Sequence, residues 1–417
     1  MTYTLTTPPC LEGIVRLPAS KSISNRALVI YALAGRKVLP DNLSDCDDTR
    51  VMVSALESMP YEIDIKAAGT AMRFMTAYLS VTTGEEHVIT GTERMRHRPI
   101  RVLVEALRSL GAEIDYLAED GFPPLRIKGN ALRGGELCIA GDVSSQYISA
   151  LLMIGSVLEK GLTLRLTGQL ISLPYIEMTL RMMKAFGADA QWLDGNSIQV
   201  RPKPYQACRY TIESDWSAAS YWYEMMALAP SAMACEVSLL GLEENSMQGD
   251  SVVKDIFRQL GVDTSFSAST ATETGKALLR RGGPCVKRLD YDFSRCPDLA
   301  QTVVVCCCEL GVTFRFTGLQ TLKIKETDRI EALKQECRKL GFIIYDEHGD
   351  TLCWDGERCA PTMEPIATYE DHRMAMAFAP AVFRHKGLRI AHPEVVSKSY
   401  PSFWDHLREV GFGISDI

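Results

Sequence analysis

The chain has no uninterrupted apolar run of about 18 residues, the length a membrane-crossing helix needs. Its opening residues, MTYTLTTPPC, show no charged start followed by an apolar stretch, so no secretory leader is expected. Lysine- and arginine-rich blocks are missing, and the net charge is -7. Both features argue against a nucleic-acid partner. The 13 cysteines fall in no CxxC pairs, and three stand together at Cys306, Cys307 and Cys308. An odd, irregular set suits neither a disulfide framework nor a structural zinc site, and points to a reducing, cytoplasmic setting. The run LAQTVVVCCCELG reads as a buried helix in which thiols act as small apolar groups. GxxxxGK[ST], GxSxG and HExxH are all absent, as is any dinucleotide fingerprint or metal-spaced His/Asp/Glu cluster. P-loop chemistry, elbow-serine hydrolysis and zinc proteolysis therefore have no support, and neither a metal nor a cofactor is expected.

What remains is an ordinary globular composition, 46% hydrophobic and 23% charged over 417 residues. That length allows about two to three domains. One pattern recurs: an amphipathic helix, a glycine, a short strand, a turn and another strand. The glycines are Gly111, Gly187, Gly261, Gly341 and Gly411, at intervals of 76, 74, 80 and 70 residues. A fixed period means one supersecondary unit used repeatedly, with glycine placed to end each helix in a left-handed cap. About six such units fit, which predicts a mixed α/β protein of two domains with three units each. Polar caps precede several helices: Ser144 and Ser145, Ser172, Ser214 and Asp215, Thr327 and Asp328.

Cations gather where helices are expected to start. Lys21 and Arg26 lie in LPASKSISNR, Arg73 in AAGTAMRF and Arg98 in MRHRPI. Lys325 and Arg329 lie in KETDR, His372 and Arg373 in YEDHRMAMAF, and Lys398 in SKSYP. A helix start exposes unpaired N–H groups and a positive dipole end, so cations there are costly unless an anion joins them. Each alone reads as a surface ion pair; together they point to a small polyanionic ligand carrying phosphate and carboxylate groups. Glu326, set among cations, is held ionised and suits proton transfer or an orienting role. Asp298, in CPDLAQT, is either such a group or a charge complementing a helix dipole.

The motifs LPASKSISNR, AAGTAMRF, RMRHRPI, GDVSSQYISALLM, SLPYIEMTL, ENSMQGD, CPDLAQT, KETDRIEAL, EDHRMAMAF and SKSYPSF occur in this order. In them the chain resembles the 5-enolpyruvylshikimate-3-phosphate synthase family from about residue 5 to the end. The resemblance implies a two-domain inside-out barrel, each domain built of three βαβαββ units around a pseudo-threefold axis, with the active site in the interdomain cleft. The domains would be 20–213, and 1–19 with 214–417. It implies transfer of the enolpyruvyl group of phosphoenolpyruvate to the 5-hydroxyl of shikimate 3-phosphate by addition and elimination. Shikimate 3-phosphate would meet Lys21, Ser22, Arg26, Ser144, Ser145, Gln146, Ser172, Tyr175, Asp298 and Lys325. Phosphoenolpyruvate would meet Lys21, Gly69, Arg98, Gln146, Arg329, Arg373 and Lys398. Asp298, Glu326 and Lys21 would be catalytic, with His372 supporting them. The partners would be these two small molecules, with no nucleic acid or membrane, and the chain a monomer. Two departures stand out: Ala67 and Thr321 replace asparagines usual in the family. The alternatives are a UDP-N-acetylglucosamine enolpyruvyl transferase, or a silent paralogue that binds phosphorylated metabolites.

Overall fold

The structure, a computed structural model, describes residues 1–168, 170, 173–267 and 275–416. The chain is mixed α/β and divides into two compact units, residues 1–18 with 213–417 and residues 19–212.

Four of the five sheets share one plan. In each, two strands pair in parallel across a helical crossover, and a second helix leads into an antiparallel hairpin that completes the four-stranded sheet. A parallel pair needs such a crossover because its strands run the same way. In the 19–212 unit the sheets order as Glu62–Asp64, Glu86–Thr90, Leu125–Lys128, Glu113–Tyr116 and as Gly135–Ala140, Leu162–Thr167, Ser197–Val200, Ala190–Trp192. In the other unit, Leu11–Arg16 pairs in parallel with Cys235–Leu240, so residues 19–212 are inserted within a single βαβ crossover. A second sheet joins Arg288–Asp292, Thr313–Thr317, Thr351–Trp354 and Tyr345–Glu347. The fifth sheet has three strands, Arg389–Ala391, Thr2–Thr6 and Gly413–Asp416, and a one-residue bridge from Ile366 to Ile390 stands where a parallel strand would be.

The five repeat glycines all carry positive φ, from 84° at Gly187 to 105° at Gly111. Four of them turn the chain from a helix end into its hairpin and Gly411 turns it into the final strand, each in a conformation that a Cβ would oppose. The sixth repeat is abbreviated. The helices Lys21–Leu33 and Asp47–Ser58 are followed by Met59, which takes the left-handed position at φ 39° without glycine. Among the described residues this helix pair has only an isolated bridge, Asp41 to Thr211, in place of a sheet.

The larger unit's core is built on the helices Trp216–Leu228 and Ala300–Leu310, which are buried on nearly every face. Helices apolar all round belong inside. Cys306, Cys307 and Cys308 are at most 1% exposed and fill this core as expected, and all 13 cysteines are unbridged.

Candidate active site

In the 19–212 unit, Lys21 is the first residue of its helix. No acid sits in that first turn, and the Ser20 hydroxyl caps nothing and has no partner among the described residues. Lys21 Nζ lies 3.6 Å from Asp48 Oδ2. One turn on, Arg26 is 2% exposed. Its Nε donates to Thr179 Oγ1 at 2.7 Å, Nη2 to Ser149 Oγ at 3.0 Å and Nη1 to the Ser22 carbonyl at 2.9 Å. The Phe74 and Tyr175 rings flank the guanidinium at 5.4 and 5.8 Å. No carboxylate lies within ion-pair distance of Arg26 among the described residues. Burial lowers its pKa to about 10, which leaves it charged at neutral pH. A buried cation held by hydroxyls and ring faces keeps its full field for an incoming anion.

Arg98 stands beside the start of the Gly69–Ser80 helix. A Cβ on Gly69 would meet Arg98 Nη1 at 2.6 Å, so any side chain there would push this guanidinium from its present place. Arg98 makes no side-chain hydrogen bond or ion pair with the described residues. Arg73 lies in the second turn of that helix and donates to the Gly69 carbonyl at 3.0 Å and the Pro99 carbonyl at 3.3 Å, which makes it a brace rather than a helix-start cation. Ser144 caps its helix by accepting from Gln146 N, and the Gln146 side chain donates to Thr70 Oγ1 at 3.0 Å.

The other unit assembles a different cluster. Arg329, first residue of its helix and 1% exposed, touches three carboxylates. It donates to Asp371 Oδ2 at 2.7 Å, Glu326 Oε2 at 2.9 Å and Asp298 Oδ1 at 3.0 Å. Asp298 Oδ2 accepts from Arg373 Nη2 at 3.0 Å, and Lys325 Nζ lies 3.6 Å from Asp298 Oδ1. Lys398 Nζ pairs with Glu326 Oε1 at 3.1 Å. Lys325 and Lys398 sit at the ends of 3₁₀ turns, not at helix starts. Asp371 caps the His372–Phe378 helix through the Arg373 N–H at 2.9 Å, and His372 Nδ1 lies 3.8 Å from Asp371 Oδ1.

Charge settles the protonation states. Burial raises the Asp298 pKa, but Arg373, Lys325 and Arg329 overcome it and hold the carboxyl well below its ordinary value. Burial disfavours the Arg329 cation, yet Asp371, Glu326 and Asp298 outweigh it and raise its pKa. Asp250 behaves oppositely: burial and then the Asp298 charge push it up to about 7, against Arg373 and the Ser217 hydroxyl that donates to it.

A family profile described as "EPSP synthase (3-phosphoshikimate 1-carboxyvinyltransferase)" matches residues 5–64 and 57–407. The chain belongs to the EPSP synthase family. It is 58% identical over 415 residues to the 3-phosphoshikimate 1-carboxyvinyltransferase of Bacteroides fragilis, covering 99% of both chains. The enzyme of the same name from Shewanella denitrificans is 34% identical over 427 residues, covering 95% of each. The solved structure of the EPSP synthase from Acinetobacter baumannii aligns over 100% of both chains with a TM-score of 0.79 at 21% identity, a likeness of fold.

Within this EPSP synthase fold, the 19–212 unit brings Arg26 and Tyr175 together and sets Gly69 against Arg98. The other unit brings together Asp298, Lys325, Glu326, Arg329, Arg373 and Lys398. Ser172 lies outside the described residues. Sequence reasoning missed Asp371 and Asp250, although both stand inside motifs it quoted, EDHRMAM and ENSMQGD. It also missed Thr179 and Ser149, which look like ordinary helix residues until Arg26 folds onto them.

Proposed function

We propose that this chain catalyses transfer of the enolpyruvyl group of phosphoenolpyruvate to the 5-hydroxyl of shikimate 3-phosphate. The observation that carries this reading is the Asp298–Arg373–Arg329–Glu326 cluster: two carboxylates ion-paired with two arginines, one of the arginines fully buried. Arg26, with Lys21, Ser22, Ser144, Ser145, Gln146, Tyr175 and Lys325, holds shikimate 3-phosphate in this reading. Arg98, Arg329, Arg373, Lys398 and Gly69 are the phosphoenolpyruvate residues of this reading, and Lys21 and Gln146 serve both substrates.

In the addition step, Asp298 takes the proton of the 5-hydroxyl as its oxygen bonds to C2 of phosphoenolpyruvate, and Glu326 or Lys21 delivers a proton to C3. In the elimination step, C3 returns a proton and the C2–O bond to phosphate breaks, giving the enolpyruvyl ether and inorganic phosphate. Cations aimed at the phosphate and carboxylate stabilise the charge that develops and departs. The cations that keep Asp298 ionised also weaken it as a base. Phosphoenolpyruvate, by drawing Arg373 and Arg329 toward its own anionic groups, returns basicity to Asp298 when it is needed.

The residue ranges 1–18 with 213–417 and 19–212 serve as the family's two catalytic domains in this reading. The chain works in the cytoplasm as a monomer with small-molecule substrates; its 13 unbridged cysteines fit a reducing compartment. Among the described residues no helix is long and apolar enough to cross a membrane. The test is phosphate release from phosphoenolpyruvate, with and without shikimate 3-phosphate, by wild type and Asp298→Ala. Release that requires both substrates and collapses in the variant is expected. No release from wild type, or release without shikimate 3-phosphate, overturns the reading.

A further inference from the structure

Beyond the ion cluster, the larger unit contains a second polar assembly, centred on residues that themselves touch none of the proposed substrate-binding residues. Its centre is Glu213, the first residue of the segment that re-enters this unit. Glu213 Oε1 accepts from the Trp216 indole N–H at 2.8 Å and the Glu243 backbone N–H at 3.1 Å. Oε2 accepts from the Ser246 hydroxyl at 2.6 Å and from Gln248 Nε2 at 2.9 Å. Gln248, 5% exposed, spends its side chain fully. Its Nε2 also donates to the Ser214 carbonyl at 2.8 Å, and its Oε1 accepts from the Trp216 backbone N–H at 3.1 Å. Gln248 thereby satisfies one of the orphan N–H groups at the start of the Trp216–Leu228 helix.

Two residues beyond Gln248, Asp250 accepts a hydrogen bond from Ser217, the second residue of that helix. Arg373 Nη2 donates to both Ser217 Oγ at 3.4 Å and Asp298 Oδ2 at 3.0 Å. Polar contacts thus run from Glu213 to Gln248, and from Asp250 through Ser217 to the Arg373–Asp298 pair, and two residues of backbone join Gln248 to Asp250. We infer that Glu213 and Gln248 are positioning residues: together they clamp the 243–250 loop to the Trp216–Leu228 helix start, and so fix Asp250 and Ser217 where they aim Arg373 at Asp298. The inference rests on the transfer reaction proposed above for its kinetic consequence.

The chemistry makes the clamp demanding. Oε1 faces two groups that only donate, the indole and a backbone N–H, and Oε2 faces an amide that donates. A glutamine at this place has the same shape but one oxygen. Whichever way its amide turns, an NH2 opposes obligatory donors. Displacement of a catalytic group by about 1 Å costs about 100-fold in rate.

The experiment is Glu213→Gln, alone and combined with Gln248→Glu, each compared with wild type for phosphate release and for hydrogen exchange without substrate. The single variant is expected to lose about 10- to 100-fold in kcat, with both KM values within about threefold. Residues 243–250 are expected to exchange faster, while the Cys235–Leu240 strand keeps its protection. The double variant restores an N–H to carboxylate contact between positions 213 and 248 but turns a carboxylate oxygen toward the Ser214 carbonyl that Gln248 Nε2 now serves, and so recovers only part of kcat. Unchanged kcat in an active enzyme, a rise in KM instead, or a loss matched by the unfolded fraction would each overturn the inference. Inactive wild type would count against the transfer reading alone; the clamp would then stand or fall by the hydrogen exchange.

Discussion

The two units hold their cations differently. In the 19–212 unit, Arg26 is buried among hydroxyls, a carbonyl and two rings, and Arg98 leans on Gly69. Neither has a carboxylate partner among the described residues. In the other unit Arg329 alone touches Asp298, Glu326 and Asp371, and Arg373 and Lys398 each pair with one of these acids. The first arrangement is receptive, because a buried unneutralised cation gains most from an arriving phosphate. The second is self-neutralised, so an arriving anion must compete with a carboxylate, which in the proposed reading is then free to move a proton. In the proposed reading the receptive arginines serve binding alone, while the self-neutralised cluster serves both binding and chemistry.

The largest effect is expected where the comparison meets chemistry. Asp298→Asn keeps the shape but removes the proposed base, and kcat should fall about 100- to 10,000-fold in steady-state phosphate release. Adding a carboxylate to the receptive side should break the contrast. Thr179→Asp puts an anion where Oγ1 now meets Arg26 Nε at 2.7 Å. Shikimate 3-phosphate affinity should fall about 30- to 100-fold by calorimetry, as expected when a charge-assisted phosphate contact is offset. Gly69→Ala acts on Arg98 instead. Alanine suits the helix, but its Cβ would force the guanidinium aside from 2.6 Å. The KM for phosphoenolpyruvate should rise about tenfold, worth about 1.4 kcal/mol, while that for shikimate 3-phosphate stays nearly constant.

The smallest effect concerns stability. Glu224 is 0% exposed, its two carboxyl oxygens have no hydrogen-bond partner among the described residues, and no cation offsets its burial. Burial, then Glu309 and Cys337, raise its pKa well above the ordinary value. A raised carboxyl pKa means the folded state binds this proton more tightly, so stability is lost as pH climbs from the unfolded value, about 4.3, toward the folded one. Glu224→Met should therefore stabilise the protein by about 1 kcal/mol near neutral pH and by less at pH 5, read as thermal midpoints. Equal gains at both pH values would remove titration as the cause.

Much of this was legible before any coordinates. The repeat glycines appear as left-handed helix ends because φ and Cβ sterics are local properties. The Asp328 and Asp215 caps are local as well, accepting at 3.0 to 3.1 Å from N–H groups two or three residues on. What escaped reading is long-range. Thr179 lies 153 residues from Arg26, and Asp371 lies 42 from Arg329. No period in the chain links such pairs; only the packed helices do. The abbreviated sixth repeat was hidden for a related reason. Its helices read like the others, and only strand pairing reveals that Asp41 and Thr211 stand in for a sheet.

Calorimetry of phosphoenolpyruvate alone, with wild type and Asp298→Asn, tests the central claim most directly. If Asp298 holds the place of a substrate anion between Arg329 and Arg373, the variant, with those arginines partly unneutralised, binds phosphoenolpyruvate about tenfold more tightly than wild type while turning over far more slowly. Equal or weaker binding in a folded variant would contradict it, and would make the carboxylates of this cluster part of the binding surface instead of stand-ins for the ligand.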